Sequence, residues 1–232
     1  MLRTLILATS LLALALLVSV PAAGAPDIEE SKLARVIRLQ KSEYPGQGQS
    51  KPSEALIQAF VRQRVKLAQK LHKNKRLNDA ILVYEGLSLY VPSIIEPRFD
   101  LAKLYYERVL LLKNKSQLIS TGFAGLAKAG KKEAAEAKLK ELGTLHKIIV
   151  SDATKGRDEL KKYLQQRPKD TRPSDILWRF YLITGEAPKS LSTLNKMLKE
   201  TPQIDEVRKQ RYNKIRDAIK EQMNKASSKK GR

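Results

Sequence analysis

Residues 54–92, EALIQAFVRQRVKLAQKLHKNKRLNDAILVYEGLSLYVP, decide the fold. Leu56, Phe60, Val61, Val65, Leu67, Ala68 and Leu71 recur at roughly helical spacing. Pro52-Ser53-Glu54 opens that helix, because proline is tolerated in the first turn. His72-Lys73-Asn74-Lys75-Arg76 then reads as a polar turn. A second helix runs through Tyr90 and stops at Pro92, since proline cannot continue it. The stretch is a helix–turn–helix unit.

Its spacing, Arg64-x2-Leu67-Ala68-x2-Leu71, then Ala80-x3-Tyr84, then Pro92, resembles a tetratricopeptide (TPR) repeat. Small side chains at Ala68 and Ala80 let paired helices approach closely, while Leu67, Leu71 and Tyr84 fill the space between them and the next pair. Leu67, Ala68 and Leu71 return one repeat length of that family farther on, as Leu101, Ala102 and Tyr105. The partner helix of this second unit is expected around residues 108–118, where Asn114 stands in place of alanine. A third unit matches in its second half, at Ala135-x3-Leu139 with Leu142, behind the turn Ala129-Gly130-Lys131-Lys132. A last unit runs Leu177-Trp178-x2-Tyr181, a Thr184-Gly185-Glu186 turn, Leu194 and Pro202, with Trp178 and Ser190 replacing small residues. The resemblance covers residues 54–202. It implies an all-α fold of TPR-like helix-turn-helix repeats, forming a short right-handed solenoid with a C-terminal capping helix. Residues 148–170 do not fit whole repeats, and an irregular helical bundle is the competing architecture.

The flanks carry their own signals. Arg3, the uncharged Leu-rich stretch Thr4–Val20 and the small residues Ala22–Ala25 have the layout of a secretory signal peptide over residues 1–25. The alternative is an uncleaved inner-membrane anchor. Residues 26–53 hold a short helix, about 28–42, and the flexible linker Tyr44–Ser50. Residues 203–226 form a final helix, entered at Thr201-Pro202, whose stripe of Ile204, Val207, Tyr212, Ile215, Ile219 and Met223 caps the preceding unit. Residues 227–232 read as a disordered basic tail.

Lys and Arg number 45 against 24 Asp and Glu, a formal charge of +21; such charge runs are commonly solvated faces, and an acidic partner is the functional reading beside that. The absence of cysteine removes disulfides, thiolate nucleophiles and cysteine metal sites. His72 and His146 lack a paired-ligand spacing. Gly125 to Lys131 has the G-x-x-x-x-G-K spacing of a phosphate-binding loop, but Lys132 replaces the required Ser or Thr and no strand is expected before it. No catalytic, cofactor or metal site is therefore expected, nor nucleotide binding, nor a membrane span after the leader.

Two functions follow. The first is an exported TPR-like protein–protein interaction scaffold of the cell envelope, periplasmic or secreted. It would bind another protein or peptide on a concave groove that the resemblance places at Gln63, Arg64, Arg98 and Lys103. The alternative is a basic binder of an anionic polymer or membrane surface. Lys73, Lys75, Arg76, Lys131 and Lys132 lie at two interhelical turns, and in a solenoid such turns line up as one basic ridge. Export makes a direct prediction. N-terminal sequencing of the mature protein begins near Ala25 or Pro26, and recovery from soluble cytosol of a chain still starting at Met1 contradicts it.

Overall fold

The computed structural model describes Tyr44, residues 52–201 and residues 204–230, with side chains to residue 226. The expected leader at 1–25, the helix expected at 28–42 and most of the expected linker fall outside the described residues. Every regular element among them is an α-helix: α1 Glu54–Lys73, α2 Leu77–Tyr90, α3 Glu96–Lys128, α4 Lys132–Gln166, α5 Ser174–Ile183, α6 Ala187–Glu200 and α7 Glu206–Lys230. None is long and apolar enough to cross a membrane.

Local chemistry sets the ends. Ser53 caps α1, its hydroxyl accepting from the Leu56 amide, while Lys70, His72 and Lys73 face the negative end of the helix dipole. Pro97 and Pro188 occupy first turns of α3 and α6. Glu206 begins α7, which runs on through Lys230, so residues 227–230 are helical where a disordered tail was expected.

Three turns share one construction. Lys75, Gly130 and Gly185 are the positive-φ residues among those described, at φ 60°, 71° and 77°, and they are evenly spaced along the chain. In each, two amides fold back on the preceding helix: Arg76 N–H to Leu71 O, Lys131 N–H to Leu126 O and Glu186 N–H to Tyr181 O are the long bonds of the set. Ala80, Ala135 and Ser190 stand at one common position after these turns, all buried, and their amides bond the carbonyls of Arg76, Lys131 and Glu186. The Ser190 hydroxyl also donates to the Trp178 carbonyl at 2.8 Å, which accommodates serine where the pattern wants alanine. The helices are thus paired as three hairpins, α1/α2, α3/α4 and α5/α6, followed by α7. Each helix packs on its neighbours in chain order.

The middle hairpin differs from the expected plan. No break occurs near residue 107, and α3 continues for 33 residues, about 50 Å. Its partner α4 has 35 residues, and residues 148–170, which fitted no repeat, are its C-terminal part and the following turn. Inward positions on α3, from Ala102 through Tyr105, Val109, Leu112, Ser116, Ile119 and Phe123 to Leu126, alternate spacings of 3 and 4. Ala135, Lys138, Leu142, Leu145, Ile149, Asp152 and Gly156 do the same on α4. That is the periodicity of an antiparallel coiled-coil seam.

The base of this hairpin is clamped on both sides. One core joins α1 to α5, with Ala68, Ala80, Tyr84, Leu101, Tyr105, Val109, Leu160 and Phe180 buried. Leu67, expected within it, lies 38% exposed on the other side of α1. The Arg108 guanidinium donates to both oxygens of buried Asp152 at 2.6 and 2.5 Å and to Asn78 of α2 at 3.1 Å. The Tyr105 hydroxyl donates to Glu85 of α2. A second core holds the cap: Trp178, Leu194 and Met197 meet Tyr212 and Ile219 of α7, with Ile204, Ile215 and Met223 at its edge. Val207, assigned to the same stripe, is exposed.

Gly156 is where α5 docks. A Cβ there would meet the Phe180 ring, with Cε2 at 2.7 Å, whereas Gly122 and Gly125 face open space. Gly156→Ala is expected to destabilise by about 1–3 kcal/mol through overpacking, more than its helix-propensity gain of about 1 kcal/mol. Gly122→Ala and Gly125→Ala should each stabilise by about 0.5–1 kcal/mol. Urea denaturation reads all three, and a stabilised Gly156→Ala contradicts the docking of Phe180.

Candidate interaction site

The residues expected to form a first-helix groove divide into two kinds. Gln63 is exposed on α1 and Lys103 is exposed on α3. Arg64 and Arg98 are not on an open groove. Arg64 is buried, with its guanidinium 5.3 Å from the centre of the Phe60 ring. Arg98 pairs with Glu159 of α4 at 2.6 Å and donates to the Ser88 and Pro92 carbonyls. A buried guanidinium needs this many acceptors, so Arg98 fastens the α2–α3 connection to α4 rather than facing a ligand.

Lys103 borders a hollow of about 200 Å³ that also involves Phe99, Asp100, Tyr163 and Arg172. The Lys103 ammonium lies 4.8 Å from the centre of Phe99 and pairs with Asp100 at 2.6 Å. Arg172 lies 5.4 Å from the same ring and grips Asp170, whose carboxyl is held well below the usual range by that guanidinium. Both cations are already engaged by carboxylates and by the ring face. The α4–α5 connection brings Arg172 here from far along the chain, so no local motif announces the hollow.

The basic turns do not form one ridge. His72, at the end of α1, lies 2.8 Å from Glu107, about a third of the way along α3, which places the Lys73–Arg76 turn beside the first half of that helix. Lys128 is the last residue of that helix, about 30 Å farther along its axis. Stacked turns would align only if the hairpins were equal in length, and the long α3/α4 pair carries Lys131 and Lys132 beyond the others. At physiological ionic strength charges are screened within about 8 Å, so the two clusters act separately.

The outer half of the hairpin, from Lys113 through the turn to Leu145, is sparsely covered. Ile119, Ala135 and Leu145 are buried there, whereas Leu118 is 75% and Leu139 52% exposed. A groove of about 320 Å³ lies between the helices, lined by Phe123, Ala127, Ala135 and Leu139 with Lys132 and Glu136 at its edge. Lys115 of α3 reaches Glu141 of α4 at 3.5 Å, and Lys138 reaches it at 3.0 Å. The Lys138 hydrogen bond, with help from Lys115, holds the Glu141 carboxyl below its usual range. Lys128, Lys131, Lys132 and Lys140 are exposed and have no ion-pair partner among the described residues.

Gly125–Lys131 is the last turn of α3 and its connection, so it does not sit between a strand and a helix. Among the described residues no group of His, Asp and Glu gathers as a metal site. No family model, no curated protein and no solved structure matches the chain.

Leu139 was within reach of sequence reasoning, as the large residue of Ala135-x3-Leu139, but its exposure was not. The separation of the two clusters is itself testable. Binding of polyglutamate at low salt should weaken when Lys73, Lys75 and Arg76 become Gln, and again when Lys131 and Lys132 do. The two effects should add to within about 0.5 kcal/mol, as for distant sites. A larger coupling contradicts independent clusters.

Proposed function

We propose that the chain is an exported interaction scaffold of the cell envelope, which binds another protein or peptide and carries out no chemistry of its own. In this reading the hairpins are successive units of a short right-handed TPR-like solenoid, the second is elongated and α7 is the terminal cap. The observation that carries it is the recurrence of one turn and one buried small residue at Ala80, Ala135 and Ser190, with helices packed neighbour on neighbour. Successive helix pairs of that kind present surface rather than enclose a cavity, which suits macromolecular partners. The leader-like residues 1–25 support export and an envelope location. The elongated hairpin adds surface that no other described helix covers.

The alternative, a basic binder of an anionic polymer or membrane surface, draws on the unpaired lysines of the hairpin. Salt separates the two. Immobilised mature protein should retain a defined envelope protein from extract after a high-salt wash, because buried apolar contact survives screening. Retention that vanishes entirely at high salt, and is reproduced by polyglutamate or anionic vesicles at low salt, would replace the scaffold reading with the alternative.

A further inference from the structure

Resting on the scaffold reading, we propose that the outer groove of the α3/α4 hairpin receives an amphipathic helix of the partner protein, apolar on the buried face and acidic on its flanks. The three hairpins supply an internal comparison. Counted from their positive-φ residues, Tyr84, Leu139 and Leu194 occupy the same position, as do Leu87, Leu142 and Met197. Tyr84 is 3% exposed, in the core shared with α3, and Leu194 is fully buried in the core shared with α7. In both cases the cover belongs to a core that the next helix completes. In the middle hairpin that next helix, α5, docks far down the pair, with Phe180 on Gly156. Leu139 is therefore left 52% exposed beside its groove. The position that takes a helix in the other two hairpins is open in this one.

Charge specifies the flanks. Lys128, Lys131, Lys132 and Lys140 surround the groove region on the outer turns of α3 and α4, exposed and without ion-pair partners among the described residues, and they outnumber the likewise exposed and unpaired Glu133 and Glu136. Complementary carboxylates on a partner helix would speed encounter and fix its direction. The same lysines oppose a second copy of this chain as the occupant, since two such tips repel. The shape opposes a bilayer. The extreme end of the hairpin is Ala129-Gly130-Lys131-Lys132, with no large apolar side chain to enter the acyl region, and the apolar residues line a cleft set back from it.

The probe is a synthetic, fluorescently labelled helix of a few heptads with leucine on one face and glutamate on its flanks, titrated into the full mature chain and followed by anisotropy. Saturable binding is expected. Leu139→Lys should weaken it at least ~10-fold, equivalent to about 1.4 kcal/mol. K131E/K132E should weaken it comparably at low salt and less at high salt. Lys209→Glu with Arg211→Glu, on α7, should leave it unchanged. Leu139 is exposed, so its variant is expected to fold, and circular dichroism checks this. The proposal is overturned if the peptide does not bind, if Leu139→Lys binds it as tightly as the parent, if a lysine-flanked peptide binds equally, or if anionic phosphatidylglycerol vesicles bind at the tip while the peptide does not. Envelope capture with Leu139→Lys keeps the two readings apart. Loss of peptide binding with capture intact removes the groove assignment and leaves the scaffold, whereas absence of salt-resistant capture by the parent chain removes the scaffold.

Discussion

Two helices longer than anything beside them can bury their far halves only on each other. That constraint shapes the described chain. At the base, α3 and α4 are held by neighbours on both sides, and the seam can carry charge: Arg108 and Asp152 meet inside it, as do Arg98 and Glu159. Such pairs contribute little net stability, but leaving one partner alone costs about 3–5 kcal/mol, so they disfavour any slipped register. Beyond Lys113 the neighbours end. The seam there relies on Ile119, Phe123, Leu126, Ala135, Leu142 and Leu145, diluted by Ser116 and Lys138. Fewer apolar contacts per turn make the outer hairpin easier to open locally than its base. It is also where apolar surface remains uncovered.

Much of this was legible in the sequence, and the failures have physical causes. Helix–turn–helix pairing showed in the turn residues and in Ala80 and Ala135, whereas Trp178 and Ser190 read as departures from the pattern. The C-terminal cap was visible as a single stripe from Ile204 to Met223. The recurrence of Leu67-Ala68 as Leu101-Ala102 misled, because it relates α1 to α3 correctly but says nothing about where α3 ends. Nothing between Pro97 and the Ala129-Gly130 turn breaks a helix; Asn114 is a weak helix former, not a stop. The even spacing of the three turns was hidden by Lys75, which occupies a left-handed position usually given to glycine. Arg64 and Arg98 looked like exposed polar positions. Arg98 is buried against Glu159 on another helix, 61 residues away, a pairing that local spacing cannot announce.

Length also changes what the charge does. Equal hairpins would align their basic turns into one strip. The long α3/α4 pair instead divides the positive charge between a base turn at Lys73–Arg76 and a tip at Lys128–Lys140. At the tip that charge lies beside an apolar groove and the exposed Leu139. Burying one leucine side chain is worth about 1.5–3 kcal/mol, more than an exposed ion pair contributes, so in the proposed docking apolar contact would set affinity while the lysines would favour an acidic partner and speed its arrival.

The extended hairpin can be measured directly. The chain has no cysteine, so Lys75→Cys with Lys131→Cys places two unique spin labels. Pulsed electron–electron double resonance on the full chain should give a distribution centred at roughly 30–35 Å, the helical rise along α3 between the two turns plus a lateral offset. Turns stacked side by side across one pair of helices, at ordinary helix-packing separations, would give about 20 Å or less. A distribution centred there would contradict a projecting hairpin.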